Sequence, residues 1–269
     1  GNAYQVDHVR RVTRGAAVVY QCAQPPYTDW PAQFPPLQRA VIEGMAAPGA
    51  KLVIAEKLYM YGDTDGKVLT ESTPLNPHGP KGRTRALLTE EALAAHQAGR
   101  VRIAIGRGSD FFGPHVTASV VGAGVFQRIH DRRPAQALGN PDMPHSFTYI
   151  RDFGEALAVL GEREEALGGV WHVPTAEAVS ARRFIQMVAE AARRAPKMQV
   201  AGPILLGLLG LFNREVRELL EMRYEFEKPF VVDSGRFEQT FGMNATPIEE
   251  AIRETVTWYA HRSPNGRNS

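Results

Sequence analysis

Cysteine is almost missing from this 269-residue chain. Cys22 stands alone, so no internal disulfide framework and no cysteine-built zinc site can form. That usage fits a reducing, cytoplasmic setting. Long apolar runs are missing too. The most apolar stretch, Pro203 to Phe212, is about ten residues, where a membrane helix needs roughly 20. It reads as a buried helix or a hydrophobic wall, with a membrane-surface or partner contact as the alternative. The polar opening, Gly-Asn-Ala-Tyr-Gln-Val-Asp-His, lacks the basic patch and apolar core of a secretory signal. A strong charge of one sign is missing as well: the formal net charge is +2, too weak a balance to indicate a nucleic-acid binder. His8, His115 and His172 have no metal-ligand spacing, and no H-x-x-x-H or carboxylate triad occurs. The expectation is a protein with no metal, nucleic-acid or membrane partner.

What is present is ordinary globular material. The apolar fraction is 43% and the charged fraction 22%, which argues against long disorder and leaves room for one large domain or two closely packed ones. The first half alternates strand and helix signals. Ala16 to Cys22 is a short β-branched and aromatic run, followed by the Pro-rich stretch QPPYTDWPAQFPP, expected to be a loop. Gln38 to Ala47 has helical spacing, Lys51 to Ala55 is a second strand, and a Gly/Pro-rich loop runs from Gly62 to Pro80. Thr84 to Ala98 is helical and Val101 to Gly106 is a third strand. Strands separated by helices of this size imply right-handed crossovers and a parallel sheet.

The second half changes character. A helix is expected over Val116 to His130, and strands over Ser146 to Ile150 and Gly169 to Val173. Asp152 and Glu155 have the spacing of a helix capping box. Ser180 to Arg194 is helical, with Phe184, Met187, Val188 and Ala191 on one face. Near the end, Thr246-Pro247-Ile248-Glu249 combines a capping residue, a first-turn proline and a third-position glutamate. Ile248, Ala251, Ile252, Thr255, Val256 and Tyr259 then recur at helical spacing.

Five phrases, in order, resemble one family. GNAYQVDHVRRVTRGAAVVYQCA looks like a helix-then-fourth-strand passage, and KLVIAEKLYMYGD is similar to a fifth strand usually written VxxSSxxVYG. GRGSDFFGP matches the RPxNxYGP turn, HSFTYIRD the RDFxYVDD passage, and DSGRFEQTFGMNATPIEEAIRETVTWY the family's terminal tail. The chain therefore resembles an atypical extended short-chain dehydrogenase/reductase, of the NAD-dependent epimerase/dehydratase family. The resemblance implies an α/β fold: a Rossmann-like doubly wound parallel sheet with its N-terminal strands missing, and a smaller α+β substrate domain. It implies a partial NAD(P)-binding domain at 1–112 and a substrate domain at 113–269, the two interleaved. The family's first three strands and its G-x-x-G-x-x-G turn are expected before Gly1, so a fragment or processed chain is expected. NAD and NADP are not distinguished, because the second strand that selects between them is outside this sequence. A homodimer through the helices near 36–47 and 84–98 is the family's habit.

The family's chemistry uses Ser/Thr with Y-x-x-x-K, in which the lysine lowers the tyrosine pKa and the tyrosine shuttles a proton. Here the serine position reads Lys57, the tyrosine position Lys81 and the lysine position Arg85. Arginine stays protonated, and a lysine of ordinary pKa is a poor base near neutrality. Lys57, Tyr59, Lys81 and Arg85 are the candidate catalytic residues, Tyr59 being the best placed proton donor, with burial among lysines expected to lower its pKa or that of Lys81. Tyr61 is the family's structural tyrosine. With Arg107, the cations Lys57, Lys81 and Arg85 form a candidate anion site; the alternative is solvated side chains paired with Glu56, Glu71, Asp110 or Glu90. The resemblance assigns Asn2 and Ala3 to the adenine edge, and Cys22, Ala23 and Gln24 to the pyrophosphate and ribose. It assigns Gly108, Ser109 and Asp110 to the nicotinamide carboxamide, with Lys81 and Arg85 as further cofactor contacts. His78 lies in a substrate-facing loop. His145 replaces an arginine that faces a nucleotide-sugar phosphate, which argues against such a substrate. The reading is an NAD(P)-dependent oxidoreductase or epimerase-like protein acting on a small carbonyl or hydroxyl compound; the alternative is a non-catalytic dinucleotide-binding sensor or interaction protein.

Overall fold

The structure, a computed structural model, describes residues 1–45, 49–201 and 220–262. The apolar stretch Pro203 to Phe212 lies outside the described residues. Helix α1 (Val6–Val12) precedes strand β1 (Val18–Gln21); α2 (Trp30–Gly44) leads to β2 (Lys51–Glu56), and α3 (Gly79–Gln97) to β3 (Arg102–Arg107). A fourth strand, β8 (Val170–His172), joins from the second half, and the order β1-β2-β3-β8 is parallel throughout. The three strands expected to be neighbours are neighbours.

The apolar runs in these strands are continuous because both faces are covered, as parallel sheets require. Leu52, Ile54, Ile103 and Ile105 pack with Trp30, Phe34 and Leu88 of α2 and α3. Val53 and Ala104, one residue out of phase, pack on the other side with Leu157 and Leu160 of α5 (Ile150–Glu162), and with Trp171 and Phe237. Each such Leu or Ile contributes about 1.5–3 kcal/mol on burial.

Helix α2 corrects the expected Pro-rich loop. It begins at Trp30 and carries Pro35 and Pro36 inside it. Both lack the N–H that a helix interior needs, but Trp30, Phe34, Leu37 and Val41 are all buried on its inner side. Their burial outweighs the lost bonds. In the second half, the expected helix 116–130 shrinks to α4 (Phe126–His130), because residues before it close successive turns, Gly122 N–H to Ser119 and Val125 N–H to Gly122.

Short strands complete the second half: β4 (Asp110–Phe112) pairs with β7 (Phe147–Tyr149), β5 (Ala135–Leu138) with β10 (Met198–Ala201), and β6 (Pro144–His145) with β9 (Val179–Ser180). Helix α6 (Ala181–Ala191) starts at Ser180, whose hydroxyl accepts from the Arg183 N–H, and buries Phe184, Met187 and Val188 as expected. Short helices follow at Tyr224–Glu227 and Gly235–Phe241, and the chain's last described helix is Ile248–His261. Two expected caps are corrected. Asp152 sits inside α5, and Thr246 gives its hydroxyl to Asp152, so Pro247 occupies the cap of the last helix. No helix among the described residues is long and apolar enough to cross a membrane.

Candidate active site

The carboxyl ends of β1, β2 and β3 lie side by side, and the start of α3 faces them. Past β1, Cys22, Ala23 and Gln24 are all exposed, while Gln21 folds back to donate to the Ala23 carbonyl at 3.1 Å. Past β2, Leu58 leads into a tight turn at Tyr59–Tyr61 that ends on Gly62. Gly62 has φ +65°, and a Cβ there would lie 1.9 Å from the Asn76 carbonyl oxygen. Only glycine fits that close approach. Past β3, the Ser109 N–H donates to the Thr148 hydroxyl at 2.9 Å.

Lys57 and Asp110 meet across this edge. Lys57 Nζ donates to Asp110 Oδ1 at 3.1 Å, and His145 Nε2 lies 3.1 Å from Asp110 Oδ2. Burial alone would raise the Asp110 carboxyl, but the Lys57 ammonium and the His145 hydrogen bond overcome it and hold the group well below the carboxylate range. His145 is fixed on its other side, where Nδ1 is 3.1 Å from the Glu225 carbonyl oxygen. The Glu225 side chain is buried, and its Oε1 has no hydrogen-bond partner. Burial, then the neighbouring Asp110 charge, push its carboxyl well above the ordinary value. This corner therefore pushes two buried carboxyls in opposite directions, Asp110 down and Glu225 up, the arrangement that separates acid and base roles.

The expected four-cation anion site is corrected. Arg107 turns inward: its Nε donates to Glu56 Oε2 at 2.9 Å and its Nη1 to the Tyr61 hydroxyl at 2.7 Å. Lys81 is buried against Glu221, which accepts from its backbone N–H at 2.7 Å and from Nζ at 3.3 Å, and Nζ lies 4.5 Å from the Tyr27 ring centre. Arg85 lays its guanidinium on Trp30 and Phe34, at 4.2 and 4.5 Å, with Nε and Nη1 buried and without partners. Carboxylates of the fold answer three of the four charges, as a buried cation requires. Glu56 and Asp110 are partners that the alternative reading named, but Lys81, Arg85 and Arg107 are buried where it expected solvated side chains.

Tyr59 is also corrected. Its ring packs 5.9 Å from Trp30 and it is buried. Burial, then Glu225 and Asp110, push its phenol well above 10, against the expected lowering by lysines. Tyr61 is a packing residue with a buried hydroxyl: it receives a hydrogen bond from Arg107, so its own proton goes to His172 Nε2, 2.8 Å away. Asn2 is exposed and Ala3 partly buried ahead of α1. His78 forms the cap of α3, and its Nδ1 accepts from the Asp63 N–H at 3.2 Å. Sequence reasoning missed Glu221 and Glu225, which carry no motif; the one signal was an acid-rich pair of turns preceding a strand-like run.

In the turn after β3, Ser109 Oγ is buried and unpaired; an unpaired buried hydroxyl there is a suitable partner for a carboxamide, so this position fits a dinucleotide.

A parallel sheet with helices on both faces defines a doubly wound, Rossmann-like α/β protein. A model of the NAD dependent epimerase/dehydratase family matches residues 35–173, just over half of the chain. The chain belongs to that family. Among solved structures, a double mutant of DesIV, the dTDP-glucose 4,6-dehydratase of Streptomyces venezuelae, is similar with a TM-score of 0.78 and 16% identity, over 97% of this chain and 78% of that one. UDP-glucose 4-epimerase of Thermus thermophilus is similar with a TM-score of 0.77 and 20% identity, over 98% and 84%. RMD of Pseudomonas aeruginosa, solved with NADPH, follows at 0.76 and 13%, over 97% and 88%. At these identities the likeness carries the fold. No curated protein matches the sequence. Among the described residues, no group of three or more metal-binding side chains occurs.

Proposed function

We propose that the protein is an NAD(P)-dependent oxidoreductase acting on a small carbonyl or hydroxyl compound, with Glu225 and Lys57 replacing the family's tyrosine and serine. The observation that supports this reading is the Asp110 corner: the Lys57 ammonium is held by Asp110 at the carboxyl edge of β2 and β3, and the Asp110 charge, with burial, pushes the Glu225 carboxyl upward. Asn2, Ala3, Cys22, Ala23, Gln24, Gly108 and Ser109 would hold the dinucleotide, with Ser109 Oγ toward the carboxamide. When bound, the cofactor supplies or accepts the hydride at the substrate carbon. Lys57, kept charged by Asp110, orients and polarises the substrate oxygen, and the Glu225 carboxyl gives that oxygen its proton during reduction and recovers it during oxidation. His145 positions Asp110 and Glu225 together. Tyr59, with its raised pKa, walls the site and excludes water.

The test is hydride transfer from NADH or NADPH to a panel of small aldehydes, ketones and hydroxy acids, followed by nicotinamide absorbance. Turnover lost in Glu225→Gln with cofactor affinity retained is the expected result. Tight cofactor binding with no turnover on any member supports the alternative, a dinucleotide-binding sensor, which the internal pairing of Lys81 and Arg107 favours.

A further inference from the structure

Two helices far apart in sequence end in the same way. After α4, Arg132 takes the left-handed conformation at φ 59°, its N–H donates to the Ile129 carbonyl at 3.0 Å, and the Arg133 N–H donates to the Arg128 carbonyl at 2.7 Å. After α6, Arg193 is left-handed at φ 52°, its N–H donates to Glu190 at 3.0 Å, and the Arg194 N–H donates to Ala189 at 2.8 Å. Both are Schellman caps, a place that glycine usually fills. Arginine is strained there where glycine would not be. In both turns the left-handed residue and its successor are arginines.

The fold then brings the two turns together. Each leads through a proline into a strand, β5 or β10, and these strands pair in parallel, Ala135 opposite Met198. Arg132, Arg133, Arg193, Arg194 and Lys197 therefore line one open cleft of about 270 Å³. All five are exposed, and among the described residues none has a carboxylate within ion-pair distance. The acids nearest in sequence are engaged elsewhere: Asp131 accepts from Gln127 and Glu190 pairs with Arg183. The two helix ends offer at most about half a negative charge each. Against this stand five positive charges in a chain whose whole net charge is +2.

We propose that this cleft is a binding site for a compact phosphate-bearing anion, independent of the crevice at the sheet edge. Arginine pairs suit it, because their planar forks grip phosphate oxygens two at a time. An open cleft bounded by two turns favours a clustered charge such as a polyphosphate or a phosphorylated headgroup over an extended chain. None of the lining residues belongs to the proposed active site.

The experiment is calorimetric titration of the full-length protein with inorganic tripolyphosphate at two salt concentrations, beside the double variant Arg133→Glu/Arg194→Glu. Both positions are exposed, so the variant should keep the wild-type melting temperature and dinucleotide affinity. Expected is one site per chain, weakened by salt, with affinity at least ~10-fold lower in the double variant. A parallel arm uses phosphatidylcholine vesicles with and without a phosphoinositide: vesicle capture reversed by tripolyphosphate identifies a headgroup, and tripolyphosphate binding without capture identifies a soluble ligand. Wild-type protein that binds neither probe, or a double variant that binds as wild type does, overturns the proposal. So does a protein that binds a single-stranded oligonucleotide but not tripolyphosphate.

Discussion

Asp152 receives Thr246 with both of its oxygens: the backbone N–H of Thr246 donates to Oδ2 at 2.8 Å and its hydroxyl to Oδ1 at 2.6 Å. The pair joins α5, which covers the sheet, to the lead-in of the last described helix, which covers the second-half core. Asp152 is buried, so removing it strands two donors. Asp152→Ala should lower unfolding free energy by about 2–4 kcal/mol in urea, with Thr246→Val costing roughly half as much.

Glu56 and Arg107 form a buried pair with Thr89 and Tyr61 around them. Deleting one partner leaves an uncompensated charge, which costs about 3–5 kcal/mol. Glu56→Ala should thus be among the most destabilising single substitutions in the sheet. The double replacement Glu56→Leu/Arg107→Met should recover much of the loss, measured by denaturant midpoints of both variants.

His172 gives a pH signature. Burial first, then the Arg107 charge, lower its pKa to about 4 from 6.5. The neutral ring accepts the Tyr61 proton at Nε2 and donates from Nδ1 to the Asp233 carbonyl at 3.1 Å. The unfolded chain takes up a proton below pH 6.5 while the folded chain resists until about 4, so this contribution is full above 6.5 and lost as pH falls toward 4. The loss is on the order of 3 kcal/mol across that window. Urea midpoints should slope downward on acidification, and His172→Asn should flatten the slope.

Glu225 has the opposite sign. Its folded pKa is raised by burial and by Asp110, so the unfolded chain releases its proton first. Stability is full below the ordinary glutamate pKa and falls as pH rises. Glu225→Gln should therefore melt higher than wild type at neutral pH, by roughly 1–3 kcal/mol, with the gap closing in acid. The same variant should lose turnover. A variant that is destabilised at neutral pH would show that the carboxyl is ionised in the fold and refute the proton-donor role.

The sheet was legible because burial on both faces left uninterrupted apolar runs at Lys51–Glu56 and Arg102–Arg107. The same logic made α6 readable from Phe184, Met187 and Val188. Helix α2 was not, since Pro31, Pro35 and Pro36 speak locally for a loop and only packing of Trp30 and Phe34 reverses them. The gathering of Lys57, Asp110 and Arg107 at one edge followed from strand order. Their partners did not: Glu221 and Glu225 reach the crevice through tertiary placement, with no local pattern marking them.

Two acids of this corner, Glu221 and Glu225, stand far along the chain from the groups they meet. Glu221 lies 140 residues beyond Lys81, and Glu225 lies 80 beyond His145. During synthesis, Lys81 and His145 are therefore made long before Glu221 and Glu225 leave the ribosome. The Lys81–Glu221 pair can form only once residue 221 has emerged.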